Sequence, residues 1–326
     1  MDSKPAKISI IIPCYNMEAW VEEAIQSGLI QEGVIPEVIV IDDGSTDRSL
    51  EVIKKFKENI LWETGPNQGV NAARNRGLAK ATGKYALFLD ADDFLEHNGL
   101  GPLVGEMEKQ DLDLCYGNFY RLVTQTDGRR IKSKIQKAGF QADLLLSLLC
   151  GWQIPVWAYV FRRQFLIEQR LFWDSVHLHP GDFAYTFSVA FANPKQAYAS
   201  SVVGCYREHR EGRMTNTPQL KTLTNLVLMC GKVESRLKAE GLWRQPYIHG
   251  LCNTYLGIAR AAWRFDRKMF HDLLKKIHAL DSQFRSRRPL YDAAVGLFGY
   301  EGAQRLSEAG RAAREFLTRR PALYQK

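Results

Sequence analysis

Along the first hundred residues, short β-branched and aliphatic runs alternate with stretches in which apolar positions return every three to four residues. Ile8–Ile12 is a predominantly apolar strand, after which Trp20, Val21, Ala24, Ile25 and Leu29 recur at helical spacing, and Val38–Ile41 is a second strand. Leu50, Ile53 and Phe56 mark a helix that Ser45 or Thr46 is placed to cap, and Ile60–Trp62 is a third strand. Val70, Ala73, Gly77 and Leu78 line another helix, and Tyr85–Leu89 is a fourth strand that runs into Asp90-Ala91-Asp92-Asp93. This alternation predicts crossover βαβ units in a mostly parallel, Rossmann-like sheet flanked by helices.

From about residue 110 to 215 the pattern is mixed. A strand is expected at Leu112–Tyr116 and a helix around Ala142–Leu149, followed by an aromatic-rich stretch from Trp152 to Trp173. Beyond Pro218 the period is helical throughout. Leu220, Leu223, Val227, Cys230 and Leu237 mark one helix, and Met269, Phe270, Leu273, Leu274 and Ile277 another, with Asp266 as its N-cap. The expected division is therefore 1–215, with halves 1–110 and 111–215, and a helical extension over 216–326.

The chain has 326 residues, 45% hydrophobic and 25% charged, which excludes disordered, collagenous and disulfide-scaffold classes. Its net charge of +8 conceals an asymmetry. Residues 1–110 hold 11 Lys and Arg against 18 Asp and Glu, and the remainder holds 33 against 18. The basic part suits a polyanion, or an anionic membrane surface met through Arg260, Arg264, Arg267, Lys268, Lys275 and Lys276, unless those helices form a homodimer interface. No nucleic-acid reading motif accompanies the charge, so nucleic acid is not an expected partner. Six scattered cysteines without a CxxC pair read as reduced, buried thiols. The apolar run after the N-terminus is too short for a signal peptide, and no stretch reaches the ~18 apolar residues of a membrane span. A cytoplasmic protein, peripheral at most on the cytoplasmic face of a membrane, is expected.

The candidate chemistry lies at three strand ends: Pro13-Cys14-Tyr15-Asn16, Asp42-Asp43-Gly44-Ser45 and Asp90-Ala91-Asp92-Asp93. Parallel strands share a direction, so all three fall on one sheet edge, where ligands of such sheets bind. Clustered carboxylates repel one another and call for a cation. Asp90 and Asp92, one residue apart, suit a hard ion such as Mn2+ or Mg2+ that keeps positions open for phosphate oxygens. Taken singly, each of these aspartates also reads as a helix cap or turn former. Neither a Gly-rich phosphate loop nor a GxGxxG follows the first strand, which argues against nucleotidyl transfer and dinucleotide binding.

Ile8–Asn16, Val38–Asp47, Asn67-Gln68-Gly69 with Ala73-Arg74-Asn75, and Gly83-Lys84-Tyr85 leading to Phe88–Asp93 together resemble the family 2 glycosyltransferases of GT-A fold. Order and spacing agree over residues 8–95, and a weaker resemblance continues to about 215. The resemblance implies an inverting, metal-assisted transfer of a hexosyl or N-acetylhexosaminyl group from a nucleoside diphosphate sugar, UDP-linked, to a saccharide or lipid-linked glycan. It implies that Pro13 and Tyr15 line the base pocket, that Asp43 bonds the pyrimidine edge, and that Asn16, Asn67, Gly69 and Ala91 border the donor. Asp90 is implied at the ribose or the metal, and Asp92 as the direct metal ligand of a DxD motif. Arg74 reads as a phosphate contact or as a structural residue. The general base comes from an acidic pair before a later helix; here Gly181 replaces the usual Glu and Asp182 remains. Tyr206-Arg207-Glu208-His209-Arg210 resembles the family's segment near the diphosphate, which implies Arg207 or Arg210 on phosphate and His209 as a metal ligand. His177 and His179 read as acceptor-pocket or plain loop residues. One of Trp152, Trp157 and Trp173 is expected against the acceptor. The missing Glu keeps open an inactive relative that binds nucleotide or a protein partner without turnover.

Overall fold

A computed structural model describes residues 4–124, 129–175, 181–208, 220–286 and 289–319. The chain divides into two compact units, one of residues 1–148 and 152–217, the other of residues 149–151 and 218–326. No described helix is long and apolar enough to cross a membrane.

The first unit runs β1 (Lys7–Cys14), α1 (Val21–Leu29), β2 (Ile35–Asp42), α2 (Ser49–Lys54), β3 (Leu61–Thr64), α3 (Val70–Lys80), β4 (Tyr85–Phe88), β5 (Phe94–Leu95) and α4 (Gly101–Gln110). It continues with β6 (Leu114–Thr124), β7 (Arg130–Lys132), α5 (Leu144–Leu149), β8 (Tyr159–Arg162), α6 (Arg163–Glu168), α7 (Gly181–Phe191) and β9 (Gln196–Glu208). Among the described residues the strands form one sheet in the order β3-β2-β1-β4-β8-β6-β9-β5, with β7 on β6. Strands β3, β2, β1 and β4 are parallel, as the alternating pattern requires. Beyond β4 the sheet is mixed, because β8 enters antiparallel to both β4 and β6 while β6 and β9 run parallel. Ile8, Ile10, Ile12, Val38, Val40 and Leu87 pack with Val21, Ala24 and Ile25 of α1 in the main core, whose apolar area withdrawn from water supplies most of the driving force.

One charged group inside this layer sets a measurable property. Glu37 on β2 accepts hydrogen bonds from Ser9 Oγ at 2.5 Å and Thr82 N at 2.8 Å and pairs with Lys7 at 2.6 Å. Burial, which would raise its pKa, is outweighed by these donors, and the carboxyl is held at about 2 against an ordinary 4.5. A depressed pKa gives stability that is complete above the unfolded value and is lost as pH falls from about 4.5 towards 2. Glu37→Gln is therefore expected to flatten the loss of stability over that window in urea unfolding, by on the order of 3 kcal/mol at most. The same slope in both proteins would remove Glu37 from the account.

The second unit is helical, with α8 (Leu220–Ala239), α9 (Tyr247–Ala262), α10 (Arg267–Leu280) and α11 (Pro289–Arg319), the last broken at Gly299 (φ 67°, ψ 176°). Asp266 caps α10 by accepting from Met269 N at 2.8 Å, as its position predicts. The cap expected at α2 is different. Arg48 stands at the N-cap, and Asp47 accepts from Ser49 N, because Ser45 and Thr46 are held by Asn16 instead.

Candidate active site

The three predicted strand ends meet on one edge because β1, β2 and β4 run parallel and in register: Cys14 lies opposite Asp42, and Ile11 opposite Phe88. Asn16, in a left-handed conformation (φ 54°), carries the chain out of β1. Its backbone N–H donates to Ser45 Oγ at 3.0 Å, and its side-chain oxygen accepts from Thr46 N at 2.8 Å. Two loops that together border the site are thus tied to each other. Gly44 has φ 78°, and a Cβ there would stand 2.9 Å from Asn67 N, so glycine is required both for the turn and for the approach of the 65–67 loop. Tyr15 is exposed at this edge, whereas Pro13 and Ala91 are buried.

Asp43 is buried. Its carboxylate accepts from Gln68 N at 3.1 Å and Gly69 N at 2.7 Å and pairs with Arg76 at 2.8 Å. In this structure it therefore shapes the Asn67–Gly69 loop. Asn67 closes the same turn, its side-chain oxygen accepting from Gly69 N at 3.2 Å.

The sharpest feature is Arg74 on α3, only 4% exposed. One terminal nitrogen donates to Asp182 Oδ1 at 2.8 Å and the other to Asp90 Oδ1 at 2.7 Å. Its guanidinium lies 4.0 Å from the centre of the Trp173 ring, which stacks on Tyr185 at 4.0 Å with 2° between planes. Two acids distant in the chain are thereby held on one buried cation. The neighbours of Arg74 on α3 fix the same segment: Asn75 clamps the Trp173 backbone through both its N–H and its carbonyl, and Asn71 donates to Asp174 O. Of the two readings open for Arg74, the structural one describes its position.

Asp90 itself is pushed up to about 6, because burial outweighs the Arg74 cation and Asp182 and Asp92 add repulsion. Asp93, the last carboxylate of the run, is buried and accepts from Trp157 Nε1 and Arg207 N, both at 2.7 Å. Burial, with repulsion from Asp92 and Asp90, raises its pKa well above the usual range. Among the described residues no three His, Cys, Asp or Glu side chains assemble as a metal cage. A pair of hard carboxylate donors, Asp90 and Asp92, still fits Mn2+ or Mg2+, ions that take the remainder of their shell from water and substrate phosphate.

Asp182 opens α7 with its side chain 52% exposed and lines a cavity of about 210 Å3 together with Phe119, Gln153, Tyr159, Phe183, Thr186 and Tyr206. Gly181 is packed: a Cβ there would stand 2.7 Å from Asn71 Oδ1 and 2.9 Å from its Nδ2. A side chain at Gly181 would therefore have to displace the side chain of Asn71. Gly181→Glu is expected to cost about 1–3 kcal/mol in thermal unfolding, and clearly less when measured against an Asn71→Gly parent, which itself loses the bond to Asp174. Equal losses with and without Asn71→Gly would break the link.

Other expectations fall elsewhere. Arg207, placed by resemblance near the diphosphate, is buried on β9, paired with Glu23 at 2.7 Å and layered on Trp20 and Phe94, which makes it a core residue in this structure. His209, Arg210, His177 and His179 lie outside the described residues. The three tryptophans do not face the cavity. Trp157 is bound to Asp93, Trp173 lies under Arg74, and Trp152 donates to Ala138 O. Phe119, Tyr159, Phe183 and Tyr206 supply the aromatic walls instead, and apolar spacing alone does not distinguish them from core residues. None of the six cysteines is in a disulfide, and five are buried.

Residues 9–190, more than half of the chain, match the model of glycosyl transferase family 2. An uncharacterized glycosyltransferase of Haemophilus influenzae is 43% identical over 161 residues, which are 48% of this chain and 62% of that protein. The uncharacterized glycosyltransferase YibD of Escherichia coli is 30% identical over 226 residues, 63% of this chain and 65% of that one. The chain thus spans less than two thirds of either relative. In fold it is similar to residues 1–349 of Staphylococcus aureus TarS, solved with UDP-GlcNAc, at a TM-score of 0.62 and 16% identity over 94% of this chain and 92% of that one. The mannosyltransferase PcManGT of Pyrobaculum calidifontis, solved with GDP-Man and Mn2+, gives 0.52 and 17% over 93% of this chain and 87% of that one. The linked motifs, the parallel edge that gathers them and the family model agree, and the chain belongs to glycosyl transferase family 2.

Proposed function

We propose that the chain is an inverting glycosyltransferase that moves a hexosyl or N-acetylhexosaminyl group from a UDP-sugar to a hydroxyl of a saccharide or lipid-linked glycan. The observation that carries this reading is Asp182: half-exposed on a cavity, with one carboxylate oxygen held by the cation that also holds Asp90 at the donor edge. Inversion by single displacement needs a base on the acceptor hydroxyl, facing away from the leaving group. Arg74 engages Asp182 through Oδ1, which leaves Oδ2 to take the proton. As it does so, the acceptor oxygen bonds the anomeric carbon, and the bond from that carbon to the diphosphate breaks, its electron pair leaving with the diphosphate.

On the donor side Tyr15 offers its ring to the base, and Asn16, Asn67 and Gly69 shape the loops around the nucleotide. Asp92 and Asp90 would hold Mn2+ or Mg2+. Bound there, the ion supplies neutralisation of the negative charge that develops on the departing diphosphate. The complexes of TarS with UDP-GlcNAc and of PcManGT with GDP-Man and Mn2+ support a nucleotide-sugar donor and a divalent ion.

A panel of UDP- and GDP-sugars with Mn2+ or EDTA and mixed glycan acceptors tests the assignment, with nucleoside diphosphate release as the readout and product mass identifying the sugar. Metal-dependent release with one UDP-sugar, and a product heavier by that sugar, is expected. Tight nucleotide binding with no release from any donor would favour the inactive relative.

A further inference from the structure

The cations expected to meet a membrane are largely engaged within the second unit. Arg264 pairs with Glu308 at 2.5 Å, Lys276 with Glu234 at 2.9 Å and Lys275 with Asp272 at 3.9 Å. Arg260 donates to Gln304 and Ser307, and Arg267 lies over the Trp263 ring. A different surface stands out on α11, in the segment Pro289–Phe298 before the break at Gly299. Leu290 is 90% exposed, Leu297 76% and Phe298 61%, and the other exposed positions of this segment, Ala293 and Gly296, carry no charge either. Leu290, Ala293 and Leu297 recur at i, i+3 and i+7 and so share one helix face. The opposite side is anchored: Tyr291 is buried, and Asp292 accepts from Ser286 N at 3.0 Å.

A helix that buries one side and exposes an uncharged apolar face marks an interaction surface. Its occupant is indicated by charge and by size. Arg285, Arg287 and Arg288 directly precede the segment, and residues 218–326 hold 20 Lys and Arg against 9 Asp and Glu. Two copies carrying +11 each repel, and three large side chains fall well short of the ~800 Å2 that each partner brings to a stable dimer. A basic flank beside an apolar helix face complements the phosphates and acyl boundary of an anionic bilayer. We propose that Pro289–Phe298 is an interfacial helix that lies on an anionic lipid surface, with Leu290, Leu297 and Phe298 in the headgroup–acyl boundary and the exposed Arg285 on its flank against lipid phosphate.

Co-sedimentation of the full chain tests this with vesicles of equal parts phosphatidylglycerol and phosphatidylcholine, and with phosphatidylcholine alone. The wild type is expected to partition at least tenfold more strongly into the anionic vesicles. Leu290→Ser/Leu297→Ser/Phe298→Ser is expected to lose tenfold or more with an unchanged melting temperature, since these side chains are exposed. Arg285→Gln/Arg287→Gln/Arg288→Gln is expected to remove the preference for anionic lipid and most of the salt sensitivity. Equal partitioning of the apolar triple variant and the wild type would overturn the proposal. So would wild-type protein that ignores anionic vesicles and sediments as a dimer that the triple variant dissociates.

Discussion

Asp182→Asn is expected to lower kcat by about 10^2–10^4-fold while leaving nucleotide affinity near that of the wild type. Asparagine keeps the shape of the side chain and an oxygen that accepts from Arg74, so the fold around α7 and the pairing of Arg74 with Asp90 remain. What it removes is the carboxylate oxygen that the proposed mechanism uses as base on the cavity Asp182 lines. The effect is expected to be confined to turnover because Tyr15 and Asp92, the residues proposed to meet the donor, lie on other elements. The measurement is nucleotide release under saturating donor, paired with a binding titration. A variant that turns over normally removes Asp182 as the base. A variant that loses nucleotide binding in proportion shows instead that the site has come apart.

The second large effect belongs to Arg74. Arg74→Met is expected to destabilise the protein by about 1–3 kcal/mol, because it leaves Asp90 and the half-exposed Asp182 without their shared counter-charge and removes the cation layered on Trp173. Asp90, already at about 6 with the arginine present, loses the main group holding it down and shifts further towards its protonated form. Turnover is expected to fall by at least ~100-fold, the scale of a misplaced catalytic group. Arg74→Lys restores a charge but not the planar fork that reaches two carboxylates at once, and is expected to recover less than half of the lost stability. Thermal unfolding and nucleotide release on the three proteins check this, and a methionine variant that melts and turns over like the wild type would contradict the account.

The sheet edge was legible because local rules and the global fold agree there. Apolar β-branched strands end in polar residues, helices return at regular spacing, and parallel pairing brings every end to one side. Asp266 was readable as a cap for the same reason, since its partner lies three residues away. The site was less legible where partners are distant in the chain. Arg74 looks like a phosphate ligand by charge alone, and its role is fixed by Asp90, 16 residues on, and Asp182, 108 residues on. Arg207 and Asp93 are similar cases: one carboxylate joins strand β9 to Trp157. Ser45 has the right chemistry for a cap, but tertiary pairing with Asn16 claims it first. The face of α11 inverts the usual inference, because apolar periodicity shows that a helix has two sides and not which of them meets the protein.

The most direct test of the account is calorimetric titration of UDP into the wild type and Asp92→Asn, each with Mn2+ and with EDTA. Tight binding by the wild type with Mn2+, and at least tenfold weaker binding on chelation or in Asp92→Asn, is predicted by a donor edge whose carboxylates act through a divalent ion. Equal affinity in all four titrations would contradict it.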